Sequence, residues 1–273
     1  MSQRIAIYGK GGIGKSVVAT SLSATFASRG MGVLHVGCDP KSDSAVRLMD
    51  GHAKVPTVLE MLGDDASAVS TEHILHRGRL GIDCCEAGGP PPGLGCGGRG
   101  VARTLEFLED MEVMESGNYG AVVFDVLGDV VCGGFAAPLR QGFAEKVFIV
   151  LSEEPMSVYA ANNISRAVEV YQPNGIGLGG LIVNTRDNAH AELEMLEAFA
   201  VRLNTKIVGR IPRDPKIMEA ERKGMTVVEY APDAPAAQAF KALAQTIIDL
   251  DGADLPTPTP LDDTEFYTFM EQW

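Results

Sequence analysis

The sequence is poor in cysteine, and its cysteine count is odd. Its 273 residues include five cysteines, and no two of them are spaced as C-x-x-C. Disulfide frameworks pair their cysteines in oxidising compartments, so an odd count in a chain without an evident secretory leader argues against one. For any single cysteine, the default interpretation is therefore a buried or unreacted thiol.

Basic residues are also scarce. The chain carries 23 lysines and arginines against 36 aspartates and glutamates, a formal net charge of −13, and it contains no run of basic residues. So acidic a surface repels the phosphates of nucleic acids and anionic membranes. We therefore expect the partners to be other proteins, together with small anions held in a dedicated site.

Long apolar segments are missing as well. The longest apolar stretch, Ala121 to Pro138, is interrupted by Asp125 and Asp129, which excludes a membrane span there. The chain enters an apolar strand at Ile5 almost at once, so no targeting segment is visible. With 45% hydrophobic and 22% charged residues, the composition is that of a globular domain with a sizeable core. We expect a cytoplasmic protein.

Short apolar runs alternate with amphipathic stretches along the chain. The predicted strands are Arg4–Tyr8, Val33–Gly37, Leu80–Cys84, Ala121–Val126, Val147–Leu151, Leu181–Asn184 and Lys206–Gly209. The predicted helices include Ser16–Ser28, Ala102–Met111, Met156–Tyr171 and Ala191–Leu203. This alternation predicts an α/β fold with a doubly wound, mostly parallel sheet. We predict one domain over residues 1–254 and a C-terminal arm over residues 255–273. Seven glycines and three prolines between Ala87 and Gly100 exclude a helix or strand there.

A phosphate-binding loop follows the first predicted strand. The sequence Gly-Lys-Gly-Gly-Ile-Gly-Lys-Ser at positions 9–16 matches G-x-x-x-x-G-K-[ST] and precedes a predicted helix. Its glycines allow backbone N–H groups to converge on phosphate oxygens at a helix N-terminus. In such loops the lysine, here Lys15, neutralises the phosphates, and the serine, here Ser16, binds Mg²⁺. The loop therefore predicts a nucleoside triphosphate site.

Three further features refine this prediction. Lys10 is an additional lysine within the loop, which resembles the deviant Walker A class of P-loop ATPases, in which that lysine reaches the nucleotide of a dimer partner. Asp39 and Asp43 follow the second strand, whereas Asp125 and Asp129 follow the strand that begins at Ala121. Ligands of open α/β sheets bind at the carboxyl ends of the strands. These aspartates therefore predict two nucleotide-sensing loops.

Two cysteines lie among small residues. Cys96 is in Gly-Leu-Gly-Cys-Gly-Gly-Arg-Gly, and Cys132 follows Asp129 by three residues and precedes two glycines. Such surroundings expose a thiolate and leave backbone amides for inorganic sulfide. A 4Fe–4S cluster takes four ligands, so two cysteines per chain suffice if two chains share one cluster on a symmetry axis.

These motifs together resemble the nitrogenase iron protein family. The resemblance extends over Arg4 to Thr246, and its most specific parts are the P-loop, both cysteine segments and the string DVLGDVVCGGF that begins at Asp125. It implies a homodimer that passes low-potential electrons from a ferredoxin or flavodoxin to a nitrogenase-like catalytic component, expected to be a heterotetramer. Its implied cofactors are MgATP and one 4Fe–4S cluster per dimer.

The resemblance also implies roles for individual residues. Cys96 and Cys132 would bind the cluster, Ser16 and Asp43 would bind Mg²⁺, and Arg99 would dock the partner. The catalytic residues would be Lys10, Lys15, Asp39, Asp125 and Asp129. The nucleotide would contact Gly9, Gly11, Gly12, Ile13, Gly14, Lys15, Ser16, Val17, Asn184, Pro212, Arg213 and Asp214. The remaining cysteines, Cys38, Cys84 and Cys85, are expected to be core thiols.

Other functions remain open at this point. A partition or positioning ATPase would need a basic face or tail, and an iron–sulfur assembly carrier would use a C-x-x-C pair; the chain has neither. The identity of the catalytic partner is open too. Val17-Val18 and the prolines Pro90, Pro91 and Pro92 differ from what we expect of the nitrogenase protein itself. These differences favour another nitrogenase-like reductase, such as methylthio-alkane reductase.

Overall fold

In the computed structural model, residues 2–63, 68–90, 95–128, 133–140, 142–185 and 190–273 are described, the last range with side chains from residue 193. Of the predicted site residues, Asp129 and Cys132 lie outside these ranges, as do Pro91 and Pro92. No helix within these ranges is both long and apolar enough to cross a membrane.

The described part of the chain forms one eight-stranded sheet with the spatial order β3-β4-β2-β5-β1-β6-β7-β8. The strands in chain order are β1 Gln3–Tyr8, β2 Val33–Cys38, β3 His76–Arg77, β4 Asp83–Glu86, β5 Ala121–Val126, β6 Lys146–Leu151, β7 Gly177–Asn184 and β8 Ile207–Ile211. All paired strands run parallel except β3 and β4 at one edge. The predicted doubly wound α/β sheet is confirmed.

Helices cover both faces of the sheet. In chain order they are α1 Lys15–Ser28, α2 Val58–Leu62, α3 Thr71–Ile74, α4 Gly97–Asp110, α5 Val113–Ser116, α6 Pro155–Tyr171, α7 His190–Arg202, α8 Pro215–Arg222, α9 Val227–Tyr230, α10 Pro235–Asp249 and α11 Asp263–Met270. Side chains alternate across β1, so Ile5 and Ile7 pack in the core that contains α1 and α10. Ala6 and Tyr8 pack in the opposite core, which contains α4, α6 and α7.

Several predicted elements have different ends in the structure, such as β7, which begins at Gly177 rather than Leu181, and two of the differences concern the candidate sites. The strand predicted at Leu80–Cys84 is wrong, because Arg79–Gly81 forms a 3₁₀ turn in which Leu80 has a φ of 55° and is 47% exposed. The strand begins instead at Asp83 and ends at Glu86. Helix α4 begins at Gly97, within the segment that was expected to be neither helix nor strand. The glycines of its first turn allow contacts too close for a Cβ, so tertiary packing overrides their low helix propensity.

The C-terminal residues pack on the chain's own core. Leu261 is 2% exposed, and its backbone N–H and C=O both bond the buried amide side chain of Asn162, at 2.9 and 2.8 Å. Phe266 and Phe269 of α11 join the same core as α6 and α7. Burial of side chains of this size contributes about 1.5–3 kcal/mol each. The division into a domain and an arm at residue 254 stays a prediction.

Candidate functional site

The P-loop joins the end of β1 to the start of α1. Gly14, the last residue before α1, has a φ of 98°, and a Cβ at this position would lie 2.5 Å from Asn184 Nδ2. Only glycine fits this combination of left-handed backbone and close approach. The Asn184 amide in turn donates to the carbonyl of Ile13 at 2.7 Å. The end of β7 therefore supports the loop from the side on which the nucleotide base is expected.

The P-loop carries two lysines, and one of them, Lys15, contacts the loop backbone. Lys15 is 8% exposed, and its Nζ donates to the carbonyl oxygen of Lys10 at 3.2 Å. Lys15 therefore lies over the loop at the position required to meet phosphates entering it. The side chain of Lys10 is half-buried. Its predicted reach into a second subunit stays a prediction.

Asp125 is the next-to-last residue of β5, lines the same cleft as the P-loop and is 3% exposed. Burial raises the pKa of its carboxyl, while hydrogen bonds from Ser16 and Ser44 and the charge of Lys15 act in the opposite direction. The Ser44 hydroxyl donates to Asp125 Oδ2 at 2.5 Å. Asp125 therefore lies between the predicted Mg²⁺ ligand Ser16 and the loop that follows β2.

The loop after β2 forms the other wall of the nucleotide cleft. Burial raises the pKa of Asp39, whose Oδ1 accepts the backbone N–H of Lys41 at 2.9 Å. Asp43 is exposed. Both aspartates line the same cleft of about 260 Å³ as Asp125 and the P-loop residues Gly11, Gly12, Gly14, Lys15, Ser16 and Val17. Oxygen donors and a phosphate cradle thus share one cleft, a donor set suited to Mg²⁺ and a triphosphate.

The predicted ribose segment begins directly after β8. Pro212 and Asp214 are half-buried, and Arg213 is exposed. Asp214 caps α8 by accepting the N–H of Lys216 at 2.9 Å, and it also accepts the N–H of Ala236 in α10 at 3.1 Å. Asp214 thus has a structural role that fixes the segment beside the sheet edge. Contact of residues 212–214 with a nucleotide stays a prediction.

Cys96 is the N-cap of α4 and is exposed. The amide end of a helix favours negative charge, such as that of a thiolate or an anionic cluster. Gly97 follows, and a Cβ there would lie 2.4 Å from Pro40 Cγ. A groove of about 790 Å³ passes Cys96 and is lined by Pro90, Gly95, Arg99, Arg103 and Glu106. An exposed thiol in a glycine cradle at a helix N-terminus fits an iron–sulfur ligand.

The described residues on either side of positions 129–132 contact two different parts of the fold. Before these positions, a Cβ on Gly128 would lie 3.0 Å from the backbone N of Gly11 in the P-loop. After them, a Cβ on Gly134 would lie 2.1 Å from the carbonyl O of Gly98 in α4. Tyr8 Oη, at the end of β1, donates to the carbonyl of Phe135 at 2.9 Å. Gly128 therefore lies beside the P-loop, and Gly134 lies beside the helix that begins after Cys96.

Three cysteines are buried, as expected for core thiols: Cys38, Cys84 and Cys85. Burial is the largest cause of the raised pKa in each, and it takes the pKa of Cys84 to about 12. Thiols held protonated in this way are poor metal ligands and nucleophiles.

Sequence reasoning missed Glu86 and Ser44. Glu86 ends β4, its Oε1 accepts the N–H of Ala45 at 2.6 Å, and its burial raises the pKa of its carboxyl to about 8. Glu86 lies at the carboxyl end of its strand, as Asp39 and Asp125 do at the ends of theirs. This shared position could have identified Glu86 as a candidate site residue. The misplaced strand at Leu80–Cys84 concealed this signal.

The sheet order, the P-loop after β1 and the acidic strand ends define a P-loop NTPase of the α/β class. A family model described as 4Fe-4S iron sulfur cluster binding proteins, NifH/frxC family, matches residues 3–273, and the chain belongs to this family. The expected family is thereby confirmed.

Solved structures with the same fold include P-loop ATPases. The septum site-determining protein MinD of Pyrococcus horikoshii, complexed with Mg-ADP, is 22% identical, with a TM-score of 0.73 over 91% of this chain and 97% of that one. A ParA family ATPase of Chlorobium tepidum is 16% identical, with a TM-score of 0.68 over 89% and 98%. Cobyrinic acid a,c-diamide synthase of Mycobacterium smegmatis is 21% identical, with a TM-score of 0.67 over 95% and 100%. At these identities, the likeness concerns the fold.

Proposed function

We propose that the chain is the ATP-dependent iron–sulfur reductase of a nitrogenase-like two-component enzyme, acting as a homodimer. The observation that carries the proposal is the contact of Gly134 with Gly98, which brings the residue two positions after Cys132 against the residue two positions after Cys96. Cys96 and Cys132 of one chain would supply two of the four ligands of a 4Fe–4S cluster. A two-fold axis through this point would supply the other half.

Within the nucleotide cleft, Lys15 would bind the phosphates, and Ser16 and Asp43 would bind Mg²⁺. Asp39, Asp125 and Asp129 would respond to the γ-phosphate, and Lys10 would reach the nucleotide of the sister subunit. Asn184 and residues 212–214 would surround the base and ribose. Hydrolysis of MgATP would change the positions of the aspartate loops, as in other nucleotide-sensing P-loop proteins.

The cluster, when bound by Cys96 and Cys132 of both subunits, would supply one-electron chemistry at low potential. Two routes would link the cleft to these ligands. Asp129 precedes Cys132 by three residues, so movement of Asp129 would displace a residue that is expected to hold the cluster. Pro40, next to Asp39, lies against Gly89 and Gly97, so movement of its loop presses on the base of α4. Arg99 would contact the catalytic component, of which methylthio-alkane reductase is our first candidate.

Iron analysis of anaerobically purified protein tests this proposal. We expect about four irons per dimer, and an EPR signal of the dithionite-reduced protein that MgATP alters. Cys96→Ser and Cys132→Ser should lose the iron. The matched variant Cys85→Ser should keep it, because Cys85 is buried and lines neither the groove beside Cys96 nor the nucleotide cleft. A folded, ATP-binding dimer that holds no iron even after reconstitution would overturn the proposal and favour a positioning ATPase.

A further inference from the structure

A buried chain of hydrogen bonds runs from α1 through β2 to Asp125. Ser23 Oγ lies 2.9 Å from His35 Nδ1, and His35 Nε2 lies 2.8 Å from Ser44 Oγ. Ser44 Oγ continues the chain to Asp125 Oδ2. Ser23 and His35 are 0% exposed and Ser44 is 1% exposed, so this chain crosses the core without contact with solvent.

The direction of the three hydrogen bonds follows from their end point. An aspartate carboxylate only accepts, so the Ser44 hydroxyl donates to Asp125. The Ser44 oxygen then accepts from His35 Nε2–H, which leaves His35 Nδ1 to accept from Ser23. Burial lowers the pKa of His35 to about 3, so the ring is neutral and keeps this one tautomer at physiological pH. Bonds aligned in one direction strengthen one another.

The chain of hydrogen bonds ends at Asp125, which also lines the nucleotide cleft beside the P-loop. Asp125 accepts a hydrogen bond from Ser44, which directly follows Asp43. Ser16 lines the same cleft, and its hydroxyl favours the charged form of the Asp125 carboxyl and so lowers its pKa. We propose that His35 is a positioning residue of the Mg²⁺–nucleotide site: by donating to Ser44, it fixes that hydroxyl on Asp125 and so orients the carboxylate toward Ser16. This inference rests on the proposed nucleotide function.

The competing interpretation is a core histidine whose hydrogen bonds serve stability alone. The two interpretations differ in what an apolar replacement does. A purely structural His35 can be lost with a change in stability only. A positioning His35, when lost, releases the Ser44 hydroxyl to other rotamers, which disturbs Asp125 and with it the binding of Mg²⁺. Loss of such an outer-shell partner typically weakens metal binding by about 10–100-fold.

The test compares ADP affinity with Mg²⁺ and with EDTA, by isothermal titration calorimetry on the full-length protein. His35→Leu removes the donor, whereas His35→Gln keeps an N–H near the Nε2 position. Thr25→Val is the control, because Thr25 is equally buried on α1 but bonds only the Ser21 carbonyl in the described structure. Mg²⁺ should raise the ADP affinity of wild type, and we expect this gain to be at least about tenfold smaller in His35→Leu. The ADP affinity measured in EDTA should be unchanged. His35→Gln and Thr25→Val should keep the gain.

A His35→Leu protein with the same Mg²⁺-dependent gain as Thr25→Val would overturn the inference alone. A wild-type protein with no such gain would overturn the proposed nucleotide site and this inference with it. If His35→Leu does not fold, Ser44→Ala is titrated in its place, because it removes the hydroxyl that joins His35 to Asp125. Loss of the Mg²⁺-dependent gain in Ser44→Ala supports the inference, and a gain equal to that of Thr25→Val refutes it.

Discussion

Replacement of Glu86 by glutamine removes a single ionisable group from the buried end of β4. The carboxyl group is 1% exposed, and its Oε1 accepts the N–H of Ala45. Among the described residues, its Oε2 has no hydrogen-bond partner, and a Cβ on Gly37 would lie 2.0 Å from it. Burial, followed by repulsion from Asp125 and Asp43, raises the pKa of Glu86 to about 8. Near neutral pH, the folded protein therefore holds this group mainly protonated.

The raised pKa sets the direction of the pH effect. Below the ordinary pKa of 4.5 the group is protonated in both the folded and unfolded states, so its environment carries no penalty there. As the pH rises from 4.5 toward about 8, the unfolded chain releases the proton and the folded chain retains it. The free energy of unfolding then falls by up to about 1.4 kcal/mol per pH unit. The full loss approaches about 5 kcal/mol as an upper limit, because local relaxation reduces it.

Glu86→Gln keeps the acceptor for Ala45 and stays neutral at every pH. Its new amide N–H groups are buried without an acceptor, which costs about 1–3 kcal/mol. We therefore expect the variant to be less stable than wild type at pH 5 and more stable at pH 9. The difference in unfolding free energy should change sign between these two values.

Urea unfolding at fixed protein concentration between pH 5 and 9 measures this difference. Both proteins should carry Cys96→Ser and be studied in EDTA, so that iron and Mg²⁺ do not contribute. Glu109→Gln, an exposed position on α4, is the control and should show no sign change. Unfolding free energies of wild type and Glu86→Gln that differ by a constant amount across this range would refute a raised pKa at Glu86.

Three further predictions concern the cleft and the cysteine segments. In iron-free native protein, iodoacetamide should label exposed Cys96 well before the buried thiols, and mass spectrometry that finds equal rates would contradict the burial of Cys38, Cys84 and Cys85. Gly134→Ala should lower the unfolding free energy by about 1–3 kcal/mol in urea titration and should reduce the bound iron. Gly133→Ala, whose Cβ would meet no atom within 4 Å, should change neither the unfolding free energy nor the iron content. Asn184→Ala removes the bond to the Ile13 carbonyl and should weaken ADP binding about fivefold, corresponding to about 1 kcal/mol; an unchanged affinity in calorimetry would separate Asn184 from the nucleotide site.

The fold could be predicted because its signals are local. Buried parallel strands are short β-branched runs, and the P-loop is identified by fixed glycines, a lysine and a serine between a strand and a helix. Strand prediction failed where turn geometry governs the chain. Leu80 continues an apolar run in sequence, yet its positive φ turns it outward and delays β4 to Asp83. The same shift prevented Glu86 from being recognised as a site residue. A carboxylate points to a ligand site only when it is known to lie at the end of a strand.

The contacts of the site could not be predicted, because they join residues far apart in the chain. Ser23, His35 and Ser44 lie on three different segments, and no local pattern marks them as one hydrogen-bonded chain. The glycines around Cys96 suggested an irregular loop by composition. In the structure, those at positions 97 and 100 begin α4 and leave room for close neighbours. The low helix propensity of glycine reflects its conformational freedom. At positions 97 and 100, however, glycine is required because no larger residue would fit.

The sheet alone does not distinguish a reductase from a positioning ATPase, since the MinD and ParA family structures compared above share it at 22% and 16% identity. The glycine contacts are more informative. The backbone of Gly134 contacts that of Gly98, and Gly97 contacts Pro40. The loop that contains Asp39 is therefore packed directly against the first turn of α4. A packed interior transmits displacement rather than absorbing it. A nucleotide-dependent shift at Asp39 would therefore reach the start of α4 at Cys96, as the proposed coupling of nucleotide and cluster requires.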